Sequence, residues 1–289
     1  MSESEILDQL DSNKFTGDVN KLFIDSAKIG HIELVKLLLK DPRVDPGANN
    51  SRAIKWAANN GHINVVKLLL KDPRVDPGAN NNYTIGWASY YGHIELVKLL
   101  LKDPRVDPGA NNNHAIKWAA ENGHTKIVKL LLKDPRVDPG AGNNMAIVRA
   151  ANNGHVEIVK LLLADPRVDP AAGDNMAIGY SSENGSTDVV KLLLKDPRVD
   201  PDTHDNYAII FAVKNGHTKV VKRLLNALKH RFNIAKYTEI LAEAREIPND
   251  IKELLINHII SYQWIVKIFL NQHLTVDLLN QINYFIVAS

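Results

Sequence analysis

Ala57-Ala58-Asn59-Asn60-Gly61-His62-Ile63-Asn64-Val65-Val66-Lys67-Leu68-Leu69-Leu70-Lys71-Asp72-Pro73 holds the end of one helix pattern and the whole of another. Upstream, from Arg52 to Asn60, apolar Ala53, Ile54, Ala57 and Ala58 fall on one side of a helix. Gly61 then suits the left-handed conformation that closes it. Downstream, Val65, Val66, Leu69 and Leu70 recur at helical spacing. Pro73 stops this second helix because it disfavours the α conformation at Asp72. Val75-Asp76-Pro77-Gly78-Ala79-Asn80-Asn81-Asn82 follows as a turn-forming excursion.

The same unit recurs along the chain. Gly-His stands at Gly30-His31, Gly61-His62, Gly92-His93, Gly123-His124, Gly154-His155 and Gly216-His217, with Gly185-Ser186 in the remaining slot, always 31 residues apart. Six near-copies of Lys-Leu-Leu-Leu-x-Asp-Pro-Arg-Val-Asp-Pro follow these pairs, from Lys36–Pro46 to Lys191–Pro201. A fixed period of this size means stacked supersecondary units, none of which buries enough apolar surface to fold alone. Dividing 289 residues by 31 gives about nine units, so a stack is expected rather than two ordinary domains.

The motifs Ala57-Ala58-Asn59-Asn60-Gly61-His62 and Val65-Val66-Lys67-Leu68-Leu69-Leu70 resemble those of the ankyrin repeat family over about residues 17–229. The resemblance implies an all-α solenoid of stacked helix-turn-helix units. The family's Thr-Pro-Leu-His opening is replaced, for example by Tyr83-Thr84-Ile85-Gly86 and His114-Ala115-Ile116-Lys117. The period is 31 in place of the family's usual 33, which implies short, Pro-stiffened turns where a β-hairpin finger would stand. The Asp-Pro-Arg-Val-Asp-Pro variant resembles ankyrin arrays of giant DNA viruses that infect amoebae, which would place the chain in host cytoplasm.

Composition narrows the function. Lys+Arg is 35 and Asp+Glu 33, so the net charge of +2 argues against nucleic-acid binding. Residues 31–61 are mildly basic, with five basic and three acidic groups. The absence of cysteine excludes disulfides, thiolate metal sites and a Cys nucleophile. Met1-Ser2-Glu3-Ser4-Glu5 lacks the basic and apolar regions of a signal peptide, and no apolar run reaches membrane-spanning length. A cytoplasmic protein is expected. Asparagine is abundant, at 29 of 289, and gathers at loop tips and helix ends.

The ends differ from the centre. Residues 1–16 read as a cap or tail with an apolar patch of Ile6, Leu7 and Leu10. Residues 230–289 read as a degenerate repeat and helical cap. There, 237–246 would be a first helix and 249–260 a second with Asn249 as N-cap, before a last apolar pair at 262–270 and 276–287. That pair could join two chains as a homodimer. Ile247, Pro248, Asp250 and Ile251 also weakly resemble the start of an F-box, which would make the chain an adaptor of a ubiquitin ligase.

No catalytic, cofactor or metal residues are assigned. A His ladder at repeat spacing, with stacked helices about 8–10 Å apart, cannot chelate one ion, so capping of the second helix is expected. The ladder Asp45, Asp76, Asp107, Asp138, Asp169 and Asp200 reads as turn bonding, with pairing to the arginine two residues before. The column Trp56, Trp87, Trp118, Tyr180 and Phe211 reads as packing between repeats rather than a binding platform. Arg149 interrupts that column and needs a partner or an exposed head.

The informative positions are those where near-identical repeats differ. They are Arg52, Tyr83, His114, Met145, Met176 and Tyr207 at first-helix entry, Lys55 and Lys117 one turn on, and Tyr90, Tyr91, Glu121, Glu183 and Lys214 at the exit, with Arg149. The resemblance implies that these line a concave groove binding a partner protein. The expected function is therefore non-catalytic protein recognition, without nucleic acid or membrane.

Overall fold

The structure is a computed structural model that describes residues 15–228 and 247–270. Among them are fifteen helices and no strand. First helices are α1 (Val19–Ile29), α3 (Ala48–Asn59), α5 (Ala79–Tyr90), α7 (Ala110–Glu121), α9 (Ala141–Asn152), α11 (Ala172–Glu183) and α13 (Thr203–Lys214). Each is followed by a shorter partner: α2 (Ile32–Leu38), α4 (Ile63–Leu69), α6 (Ile94–Leu100), α8 (Thr125–Leu131), α10 (Val156–Leu163), α12 (Thr187–Leu193) and α14 (Thr218–Ala227). Helix α15 (Asn249–Leu270) comes last.

The chain divides into two compact units, Met1–Ala150 with Glu157–Val168, and Ala151–Val156 with Asp169–Ser289. In the first, α1, α3, α5 and α7 pack side by side, and α2, α4, α6 and α8 do the same behind them. In the second, α11 packs on α13, α12 on α14, and α14 on α15. Both are helical-repeat solenoids. Their core is the periodic apolar set: Ala53, Ile54, Ala57, Ala58, Val65, Val66, Leu69 and Val75 in one repeat are all at most 1% exposed. The alanine pair carries nothing beyond Cβ, so neighbouring first helices approach closely.

Gly-His works across repeats rather than within one. Gly92 adopts φ +78°, and a Cβ there would lie 2.6 Å from Cε1 of His124 in the next repeat. The His124 ring covers that glycine, and its Nε2 lies 2.8 Å from the Tyr90 carbonyl oxygen. His62 reaches Lys28 O, His93 reaches Asn59 O and His217 reaches Glu183 O in the same way. The expected capping role holds at His31, whose Nδ1 accepts from Leu34 N. The side chains of His62, His93, His124 and His217 make no such bond, because the ring is turned to the preceding repeat.

The arginine ladder is a second tie. Arg105 does not pair with Asp107. It grips Asp103 through Nε and Nη2, and donates to Leu70 O and Val75 O of the preceding repeat. Asp107 instead accepts from Gly109 N within its own turn. Proline between Asp103 and Arg105 folds the chain so that the earlier carboxylate is the nearer one.

The asparagines have a sharper role than turn tolerance. Asn80, Asn81 and Asn82 have φ of 54–60°, as do Asn111–Asn113 and Gly142–Asn144, within 52–64°. Three successive left-handed residues make one turn of left-handed helix, which costs most side chains about 1–2 kcal/mol per residue and asparagine least among them. Asn82 and Asn113 also accept from the main-chain N–H of Asp107 and Asp138 in the following turn. This turn replaces the hairpin finger.

The C-terminal reading needs two corrections. Helix α15 runs unbroken through 249–270, so the expected break near 261 is absent. Its first intrahelical bond is accepted by Pro248 O, so Pro248, not Asn249, holds the N-cap position. Residues 1–14, 229–246 and 271–289 lie outside the described residues, with the helices expected at 237–246 and 276–287 and the patch of Ile6, Leu7 and Leu10.

Candidate functional site

In the first unit the first helices carry the residues that differ between repeats, and several of these come together. On α5, at Tyr91 just past its end, and on α7, the rings of Tyr83, Trp87, Tyr90, Tyr91, His114 and Trp118 form one cluster. Trp87 and Trp118 stand 5.0 Å apart between centroids, His114 and Trp118 4.2 Å, and Tyr90 and Tyr91 4.9 Å. Tyr83 lies parallel to Trp118 at 6.1 Å, and Tyr91 stacks on Trp87 at 5.9 Å. Gly86 makes this possible: a Cβ there would stand 3.1 Å from the Trp118 ring.

The tryptophans were expected to serve packing alone. They do pack between repeats, but Trp56, Trp87 and Trp118 remain half-buried and share a face with the tyrosines. Tyr91 is 48% exposed. A ring can bury one face and show its other edge, which helical spacing does not report.

Cations flank the rings. Lys28 Nζ lies 4.7 Å above the Trp56 ring, and the Arg52 guanidinium 6.0 Å from it. A cleft of about 220 Å³ between Trp56 and Trp87 is lined also by Arg52, Lys55, Asn59 and Tyr83. Burial, then the charge of Arg52, holds the Lys55 ammonium below the usual lysine range. Burial and Arg149 do the same to Lys117. His114 is pushed down to about 4, chiefly by burial and then by Lys117 and Arg149. Arg149 finds its partner in Glu121 of the preceding repeat. Met145 is half-buried at the start of α9.

In the second unit, Tyr207 donates to Glu183 Oε2 at 2.7 Å. Burial, then that carboxylate, raises the phenol to about 12. The Tyr207 ring stacks on Phe211 at 4.1 Å and meets Tyr180 edge-on at 6.2 Å, while Lys214 Nζ lies 5.8 Å from Phe211. Met176, Gly179, Tyr180 and Tyr207 line a cleft of about 180 Å³ with Asp174 at its edge.

The F-box-like residues sit in the repeat stack. Pro248 occupies the place of the histidine, with Cγ 3.6 Å from a Cβ built on Gly216. Asp250 accepts from Thr218 Oγ1 at 2.7 Å, and Ile247 and Ile251 are buried. Among the described residues no cluster of three metal-ligating side chains stands within reach of one ion. No described helix is long and apolar enough to cross a membrane.

A family model described as "Ankyrin repeats (3 copies)" matches residues 10–84, 56–143, 85–174, 147–236 and 178–280. Together these cover most of the chain, which therefore belongs to the ankyrin repeat family. Ankyrin repeats are generally protein-interaction modules and typically non-catalytic. No curated protein matches the chain in sequence.

Proposed function

We propose that the chain is a non-catalytic recognition module that binds a partner protein on the face formed by its first helices. The observation that carries this reading is the gathering of Tyr83, Trp87, Tyr90, Tyr91 and Trp118 into one half-exposed cluster. Rigid aromatic clusters of this kind supply hot-spot contacts at low entropic cost. Burial of Ile247 and Ile251, and the bond from Thr218 to Asp250, support a capping role for that segment over an adaptor role. The test compares proteins retained from cell extract by three immobilised chains. One is wild type, one carries Arg52→Ala, Tyr91→Ala and Lys117→Ala, and one carries Lys67→Ala, Lys98→Ala and Lys129→Ala on the second helices. A protein held by the first and third but lost by the second is expected; identical retention by all three would overturn the reading.

A further inference from the structure

The first helices of the first unit are far more basic than the chain. From α1 to α9 they carry Lys21, Lys28, Arg52, Lys55, Lys117 and Arg149 against two carboxylates, Asp25 and Glu121. Glu121 is taken by Arg149. Helix α5, which holds half of the aromatic cluster, has no charged residue at all.

Elsewhere in this unit several of the basic residues are paired locally. On the second helices Lys36 pairs with Glu33 and Lys98 with Glu95. In the turns Arg74, Arg105 and Arg136 pair with Asp72, Asp103 and Asp134. Among the described residues Lys28, Arg52, Lys55 and Lys117 have no carboxylate partner. Two of them rest on the Trp56 ring instead. Like charges also crowd there: after burial, the chief cause, Arg52 depresses Lys55 and Arg149 depresses Lys117. Such a surface gains most from an anionic ligand that brings its own carboxylates.

The spacing adds a second condition. Adjacent packed helices lie about 8–10 Å apart. A chain crossing them in polyproline II conformation advances about 3.1 Å per residue, or roughly 9.3 Å per three-residue turn. Residues three apart in such a ligand meet equivalent positions of successive repeats. Proline rings also pack well on half-exposed tyrosine and tryptophan.

We propose that the face of α3, α5 and α7 binds an acidic, proline-containing segment of a partner protein in polyproline II conformation, with carboxylates six residues apart meeting α3 and α7 and prolines between them meeting the uncharged α5. This rests on the recognition reading above and names its ligand class. Trp87 and Trp118, His114 and Trp118, and Tyr90 and Tyr91 pack against one another at 4.2–5.0 Å, which leaves no room between those rings for a stacked base.

The test uses the full chain and synthetic peptides of two repeats each, Glu-Pro-Pro-Pro-Pro-Pro and Lys-Pro-Pro-Pro-Pro-Pro. Three of the four tryptophans, Trp56, Trp87 and Trp118, lie on this face and report binding by emission. The acidic peptide is expected to change emission saturably, and to bind at least about tenfold more weakly when salt rises from low to near-molar concentration. Arg52→Glu with Lys55→Glu, two changes on the surface of α3, is expected to abolish the effect, whereas Lys67→Glu on α4 leaves it intact. Far-UV circular dichroism checks that both variants are folded. No saturable change to millimolar peptide, equal binding of the basic peptide, or tighter binding of an oligothymidylate would each overturn the proposal. If the extract experiment still shows face-dependent retention, the ligand class fails and the recognition reading stands.

Discussion

The His124 imidazole lies over Gly92 with its Nε2 2.8 Å from the carbonyl oxygen of Tyr90, so one side chain closes the first helix of the repeat before it. The carbonyl can only accept, so the proton sits on Nε2. Loss of such a bond, with the acceptor left half-buried, costs about 0.5–1.5 kcal/mol. His124→Ala should lower unfolding free energy by about that amount in urea denaturation. An unchanged midpoint would mean the bond contributes nothing.

His114 gives the first helices an acid limit. Its folded value of about 4 lies below the ordinary value near 6.5. The unfolded chain therefore takes up the proton first as pH falls. Its contribution is fully present above about 6.5 and is lost progressively toward 4. The melting temperature should decline over that window and decline less in His114→Phe. Titration of the ring by NMR should give a midpoint near 4.

Asp103 acts at lower pH. Hydrogen bonds from the Arg105 side chain, outweighing burial, hold its carboxyl below the usual range. A depressed carboxylate stabilises above its unfolded value near 3.9, and that stability disappears as pH drops through the folded one. Asp103→Asn should be less stable than wild type at pH 7, with the difference shrinking below about pH 4. Thermal melts from pH 7 to 2 measure this.

Asn112 stands in the middle of a left-handed turn, exposed, at φ +55°. Alanine there should cost about 1 kcal/mol, because Cβ meets its own carbonyl in that conformation. Glycine should cost nothing or stabilise slightly, despite removing the same side chain. If both behave alike, backbone conformation is not what the asparagine supplies.

Ser89 is fully buried and its hydroxyl has no hydrogen-bond partner among the described residues, whereas Ala58 and Ala120 stand in the equivalent place. An unmet buried hydroxyl costs about 1–3 kcal/mol. Ser89→Ala should therefore raise stability by about 1 kcal/mol in chemical denaturation. A loss would show that the hydroxyl is satisfied.

The helix pairs and their core were open to sequence reasoning, because Ile54, Ala57, Val65 and Leu69 repeat at helical spacing and all become buried. Partners across repeats were not. His62 and Arg74 have attractive local partners, yet each reaches back about thirty residues, a choice made by stacking geometry. The left-handed turn was half visible: asparagine announces the region but not three residues of it in succession. At the site, Tyr83, Tyr90 and Tyr91 stood out by differing from their counterparts. Trp87 and Trp118 did not, since their column looked like core. Pro248 was half visible in the same way: counting 31 from His217 lands on it, but its contact with Gly216 is not given by the count.

The histidine and arginine ties have a consequence for lineage. Within the first unit each repeat presents the same carbonyls to its successor and the same rings and guanidinia to its predecessor. Any internal repeat can therefore be removed, or copied in place, as a thirty-one-residue cassette whose two edges already match. Such a gene can lengthen or shorten by slippage while every junction stays complete, and only the tyrosines, lysines and arginines of the first helices need to diverge afterwards.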